Sequence, residues 1–335
     1  MRQKNKSACH FKNFEKCTKC SIIKKVLEEK TSYIEKVKKG FYMKELEECR
    51  LCPFECGINI EEGQLGRCKA GNKIKLGLVT KHYGEEPCIS GESGSGTVFF
   101  SNCNLKCKFC QNYKISSLGK GEEITIEELA NIFLKHQEDG ANNINLVTPT
   151  PYVIQIIEAL KIAKSKGLII PIVYNTSGYE KTDVLKKLEG LIDIYLPDFK
   201  YFDDELALKL SGAKEYKKYA TNAILEMQRQ IKKTEIDENG IMKKGIIIRH
   251  LILPNHVDNS KDVLKWIKEN MRDDVYVSLM AQYFPTFKAL DTDDINRKLT
   301  FEEYKEVEDY LFELNIKNGF VQDLEDEEEQ YVPDF

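Results

Sequence analysis

The sequence predicts an α/β fold, a partial (β/α)6 barrel with an N-terminal Cys-rich metal-binding extension. Three observations predict it. From Gly91 onward, strand-like apolar runs alternate with helical patterns to nearly the end of the chain. Continuous apolar strands such as Ile246-Ile247-Ile248 belong in a parallel sheet covered by helices. Three cysteines, Cys103, Cys107 and Cys110, leave the first of these strands on a loop. Six β/α units in series curl most naturally into an incomplete barrel, and no short repeat of fixed period competes with that reading.

In chain order, residues 1–48 read as a Lys-rich helical extension. Ile22, Ile23, Val26, Leu27, Ile34 and Val37 recur there at helical spacing. Cys9, Cys17 and Cys20, with His10, either bind a metal or are incidental thiols on a solvated segment. Residues 49–90 form a Cys-rich metal-binding segment. Cys49, Cys52 and Cys56 are followed across Gly63 and Gly66 by Cys68, a four-thiolate pattern that suits structural zinc and an iron–sulfur cluster equally. The barrel occupies residues 91–322. Its strands are expected near 97–100, 143–147, 169–174, 191–196, 246–253 and 275–280. Its helices are expected near 125–138, 152–166, 181–189, 215–232, 258–270 and 300–314, and Thr125 with Glu128 gives the first a capping box. Residues 323–335 read as an acidic, solvated tail.

At 335 residues the chain is long enough for one large α/β domain with an appendage. Its net charge of −4 gives no basic field to attract nucleic acid or an anionic membrane. No apolar run approaches the roughly 18–20 residues that span a bilayer, and the charged start has no export signal, so a cytoplasmic location is expected. Eleven cysteines, an odd number, read in that compartment as metal or redox ligands rather than disulfides.

The chemistry centres on Cys103-x3-Cys107-x2-Cys110. Three thiolates leave one corner of a four-iron cluster without a protein ligand, and an open position marks a metal centre that reacts. The plain alternative is a helical stripe of buried thiols, but Lys106, Lys108 and Asn112 surround it. The ends of barrel strands form the active face. Those ends carry Thr148 after strand two, Asn175, Thr176 and Ser177 after strand three, and Asp198 and Lys200 after strand four. Arg249 and His250 lie on strand five, and Gln282 and Tyr283 follow strand six. Lys200 and Arg249 can each meet a carboxylate, and Asn175, Thr176 and Ser177 can bond ribose hydroxyls or an amine. Asp198 and Lys200 also read as a surface ion pair, and His250 and Tyr283 as packing residues.

The cysteine spacing, with Phe109 before the last thiol, resembles the signature of the radical SAM superfamily. Segments 99–115, 143–150, 173–179, 193–200, 248–254 and 278–283 together are similar to the branch of pyruvate formate-lyase activating enzymes. The resemblance covers most of residues 84–322, and the 49–68 segment is similar to an N-terminal element of that subgroup. It implies a [4Fe–4S] cluster on Cys103, Cys107 and Cys110, which are therefore the catalytic set. It implies S-adenosylmethionine held by Thr148, Asn175, Thr176, Ser177, Asp198, Lys200, Arg249 and Tyr283, with Lys200 on the ligand's carboxylate. The implied reaction is reductive cleavage to a 5′-deoxyadenosyl radical that abstracts hydrogen from a substrate, as an oxidoreductase of anaerobic chemistry. The implied partners are a reduced flavodoxin- or ferredoxin-type donor and a protein carrying a glycyl radical site. Four places depart from the activase pattern, one of them Tyr283, which stands for a histidine on the last strand. Thr148-Pro149-Thr150 stands in place of Gly-Gly-Glu, Asn175 in place of an aspartate, and Asn102 where a glycine often precedes the first cysteine. A small-molecule or RNA substrate, an iron–sulfur electron carrier and a zinc-stabilised binding module are the competing readings.

Overall fold

The computed structural model describes residues 45–324. Cys9, Cys17, Cys20, the helix expected over 22–37 and most of the acidic tail lie outside the described residues. Among the described residues ten strands form one sheet: β1 (Ile74–His82), β2 (Ser95–Phe100), β3 (Glu122–Ile124), β4 (Ile144–Val147), β5 (Ile172–Thr176), β6 (Ile194–Pro197), β7 (Glu235–Ile236), β8 (Met242–Leu251), β9 (Tyr276–Met280) and β10 (Gly319–Val321). Their order is β10-β9-β8-β6-β5-β4-β2-β1-β3, with β7 beside β8. The neighbours from β2 to β10 along that order pair in parallel, whereas β1 is antiparallel to both β2 and β3, and β7 is antiparallel to β8. The sheet is thus a curled, open array of parallel strands, as expected, with β10 added at one edge.

Nine helices among the described residues are numbered here: α1 (Pro87–Ser90), α2 (Tyr113–Ser116), α3 (Ile126–Glu138), α4 (Val153–Ser165), α5 (Thr182–Leu185), α6 (Asp204–Ser211), α7 (Tyr216–Gln230), α8 (Val257–Asn270) and α9 (Phe301–Glu313). Thr125 starts α3 with the anticipated capping box, its hydroxyl accepting from the Glu128 N–H while the Glu128 side chain takes the Thr125 N–H. Asp203 caps α6 by accepting from the N–H groups of Glu205 and Leu206, and left-handed Gly212 ends it.

Strand alternation sorts the side chains into two faces. Tyr174, Tyr195, Ile246 and Ile248 face outward into the main core beneath the helices. Val173, Ile194, Leu196 and Ile247 face inward and form a second core with Cys88 and Ile89. That second core shows where residues 83–90 go. β1 runs antiparallel to β2, so it ends at the N-terminal edge of the parallel strands, and α1 there plugs the barrel. Asn142 and Asn143 fasten the plug, donating to the carbonyls of Ser90 at 2.6 Å and Ile89 at 2.8 Å. Residues 74–90, read from the sequence as part of the Cys-rich segment, are therefore barrel structure. β1 went unread although Ile74, Leu76 and Leu78 alternate with Lys75 and Gly77 as a half-buried strand does.

Candidate active site

The cysteine loop follows β2 and is held mainly by its backbone. The N–H groups of Lys106 and Lys108 donate to the carbonyls of Ser211 and Leu210 at 3.0 and 2.8 Å. These are among the last carbonyls of α6, which have no partner within the helix. Asn104 donates to the Tyr179 carbonyl at 3.0 Å, and Ala289 N–H to the Lys108 carbonyl at 2.9 Å. Cys103, Cys107 and Cys110 are free and half-buried. The Ser211 hydroxyl donates to Cys107 Sγ at 3.0 Å, and Cys110 Sγ lies 3.1 Å from Ser116 Oγ. Backbone N–H groups of Leu105 and Asn112 point at Cys103 and Cys110. Burial pushes all three thiols up, Cys110 to about 11, and the charges they exert on one another add to this for Cys103 and Cys110. A metal centre must therefore displace their protons as it binds.

Beside the thiols, inside the barrel, lies a buried ionic network. Arg249 donates from Nε to Asp198 at 2.9 Å, from Nη1 to Glu85 at 3.2 Å and from Nη2 to Asn175 at 2.5 Å. Lys200 Nζ lies 2.7 Å from Asp198 Oδ2, and Asn145 donates to Glu85 at 2.9 Å. Burial works against Asp198, but Lys200 and Arg249 hold it below the usual carboxylate range. Burial likewise opposes the charge on Lys200, yet Asp198 keeps it above the ordinary lysine value. The Lys200 charge acts on both Cys107 and Cys110. Burial raises Glu85 and Glu86, and Arg249 only partly offsets it.

The structure gathers Asn175, Asp198, Lys200 and Arg249 into one cluster beside the cysteines. It takes Thr176 elsewhere, because alternation along β5 sends Asn175 inward and Thr176 outward. Thr176 and Thr150 both bond the buried Glu180 at 2.5 Å, outside the barrel. The expected role of Thr176 on a ligand is therefore corrected: its hydroxyl is spent on Glu180. Tyr283 is corrected too, since its hydroxyl is bonded to the Ile295 carbonyl and its ring braces Phe109 edge-on at 6.0 Å. His250 is structural, with its ring nitrogens 2.7 Å from the Phe199 carbonyl and 2.8 Å from Ser260 Oγ, and burial lowers it to about 4. Glu85, Glu86 and Glu180 were missed. Only strand parity around Val173–Thr176 hinted at the separation, and nothing local marks Glu85 and Glu86 as interior.

Two departures from the activase pattern have a backbone explanation. Asn102 and Thr148 take φ of 69° and 62°, the left-handed region that favours glycine. Asn102 is suited to it and donates to Tyr152 Oη at 2.9 Å. Thr148 is β-branched and strained there by about 1–2 kcal/mol.

A family model described as Radical SAM superfamily matches residues 97–237, from β2 to the hairpin before β8. An uncharacterized protein of Methanocaldococcus jannaschii, MJ0674, is 32% identical over 278 residues, 80% of this chain and 75% of its own length. This chain belongs to the radical SAM superfamily. The pyruvate formate-lyase-activating enzyme of Clostridium pasteurianum is 25% identical over 239 residues, covering 68% of this chain and 93% of its own. Among solved structures, the FeFe-hydrogenase maturase HydG from Carboxydothermus hydrogenoformans aligns with a TM-score of 0.48 at 16% identity. It covers 68% of this chain, which spans about half (54%) of the maturase.

Superfamily membership implies a [4Fe–4S] cluster and S-adenosylmethionine, and the donor set fits both. Three free thiols receive hydroxyl or backbone donors, Lys200 offers an ammonium beside them, and Ser177 Oγ is buried without a partner among the described residues. Among the described residues no three His, Cys, Asp or Glu side chains gather around a single ion position. A cluster does not require that, because each thiolate binds a different iron. No helix among the described residues is long and apolar enough to cross a membrane.

Proposed function

We propose that this radical SAM enzyme reductively cleaves S-adenosylmethionine to a 5′-deoxyadenosyl radical that takes a hydrogen atom from a protein substrate, as an activating enzyme does at a backbone glycine. A [4Fe–4S] cluster on Cys103, Cys107 and Cys110 would supply the electron for that cleavage, itself refilled by a flavodoxin- or ferredoxin-type donor.

The observation carrying the reading is the reach of Lys200. Its ammonium is fixed by Asp198 at 2.7 Å and its charge falls on Cys107 and Cys110. A lysine has three donors, so one bond to Asp198 leaves others for a carboxylate at the cluster's open corner. Arg249 orients this arrangement from beneath, since Asp198, Glu85 and Asn175 occupy its fork and hold it inside the barrel. The plug at 83–90 keeps water from entering by the N-terminal end, and the α6 carbonyls fix the loop that carries the thiols. Two relatives named as pyruvate formate-lyase-activating enzymes, at 25% and 23% identity, support a protein glycine as the target.

The test is anaerobic reconstitution, chemical reduction and chromatographic assay of 5′-deoxyadenosine. Wild type is expected to form it, and Cys107→Ala to fall at least about a hundredfold, as loss of a group acting directly on the chemistry does. Equal, background-level yields from both proteins would remove the cleavage reading. Incubation with a glycyl radical enzyme and electron paramagnetic resonance then addresses the target; a doublet from the partner's glycine is expected.

A further inference from the structure

We propose that Cys49, Cys52, Cys56 and Cys68 hold a second iron–sulfur cluster that staples residues 48–73 against the cysteine loop of the barrel. Like the barrel thiols they converge on no single ion position, which suits a cluster with one iron per thiolate and not a lone zinc ion. The inference stands apart from the cleavage reading, since it concerns what the chain binds and not what it catalyses.

The argument starts from a segment that lacks the means to hold itself. Residues 48–73 contain no helix or strand, and their buried apolar side chains are Cys49, Leu51, Ile60 and Ala70. Irregular stretches longer than about 12–15 residues are uncommon inside a compact domain, and short chain lengths with little core take metal or disulfide staples. No disulfide is present here: all four cysteines are free.

The backbone wraps the sulfurs instead. Cys49 N–H donates to the Ile58 carbonyl at 2.8 Å and Gly57 N–H to the Cys49 carbonyl at 2.9 Å, closing a loop around Cys52 and Cys56. Glu55 and Lys69, with φ of 41° and 63°, turn the chain sharply beside Cys56 and Cys68. A Cβ at Gly66 would meet Cys56 Sγ at 2.9 Å, so glycine leaves the room that sulfur takes. Backbone N–H groups of Leu51, Phe54 and Ala70 bond the sulfurs of Cys49, Cys52 and Cys68. Burial raises all three of these thiols and the amides offset it only in part, so a metal displaces their protons as it binds. The thiols are near enough to act on one another electrostatically: Cys56 and Cys68 on Cys49, Cys49 and Cys68 on Cys52, and Cys56 on Cys68. The same two-residue step from sulfur to amide serves Cys103 and Cys110 in the barrel loop.

The segment also meets the other cysteine set at one place. Arg67 lies over the Phe54 ring at 4.2 Å and donates to the Gly212 carbonyl at 3.1 Å, directly after the α6 carbonyls that hold the barrel loop. Lys106 donates to the Cys103 carbonyl at 3.2 Å, and its charge acts on Cys68 as well as Cys103. A single lysine and a single helix end therefore serve both thiol sets.

The experiment is a count of iron, acid-labile sulfide and zinc per chain in the full-length protein, purified and reconstituted without oxygen. About eight iron and eight sulfide support the proposal; about four of each with one zinc overturn it. Metal for one cluster alone overturns it, and that count needs no variant to fold. The Cys103→Ala, Cys107→Ala, Cys110→Ala triple variant is expected to retain the second centre. Cys52→Ser with Cys68→Ser is expected to lose it and to be cut faster by protease within 48–73. A triple variant that folds but carries no metal also overturns the proposal.

Discussion

The two faces of β5 bury carboxylates of similar depth and treat them in opposite ways. On the inner face, Asp198 and Glu85 meet Asn175 and the cations Lys200 and Arg249, and Asp198 stays ionised. On the outer face, Glu180 meets only the hydroxyls of Thr150, Thr176 and Tyr174, and burial raises it to about 7. Desolvation acts on both sites, so the partner decides the charge. Hydroxyl donors soften the penalty for a buried carboxylate; the two cations at Asp198 reverse it, while Arg249 alone only partly offsets it at Glu85. The inner face keeps charge beside the thiols; the outer face neutralises it beneath the helices.

The sharpest way to break this contrast is to remove the inner cation. Arg249→Met leaves Glu85 with no cation and Asp198 with Lys200 alone, and a loss of about 3–5 kcal/mol in urea unfolding is expected. A loss under 1 kcal/mol would mean that Lys200 alone carries the network. The outer face offers a test through pH. Glu180 goes from 4.5 in the unfolded chain to about 7 when folded, so its neutral form is the one the fold favours. The stability it gives is complete below pH 4.5 and is lost as pH rises through about 7, by roughly 3 kcal/mol. Glu180→Gln is expected to flatten that part of the stability profile, and an unchanged slope from pH 4.5 to 7.5 would contradict it. The smallest effect belongs to the rim. Thr148→Gly relieves a left-handed β-branched residue, and a gain of about 1 kcal/mol is expected by thermal unfolding. A loss would show that the threonine side chain contributes more than its strain costs.

Much of the barrel was legible because its strands and helices keep clean periods. The expected strand over 143–147 is found at Ile144–Val147, and the expected helix over 215–232 at Tyr216–Gln230. Cys103, Cys107 and Cys110 were legible from spacing, and Asp198, Lys200 and Arg249 from their strand-end positions. Thr176 was misplaced because neighbouring polar residues were taken together, although adjacent strand positions face opposite sides. Glu85 and Glu86 were illegible for a different reason. Two carboxylates before a proline read as surface, and only the antiparallel course of β1 carries them inside. Glu180 follows Gly178-Tyr179 in a turn, where no period indicates what lies above it.

Residues 83–90 make the barrel a cup rather than a pipe. Cys88 and Ile89 pack across one end of the strands, so among the described residues the thiol-bearing rim is the end left for both entry and exit. A macromolecular target seated on that rim would seal the vessel during reaction and delay emptying until it departs. Turnover would then be paced by undocking, and small leaving groups would be released only between visits.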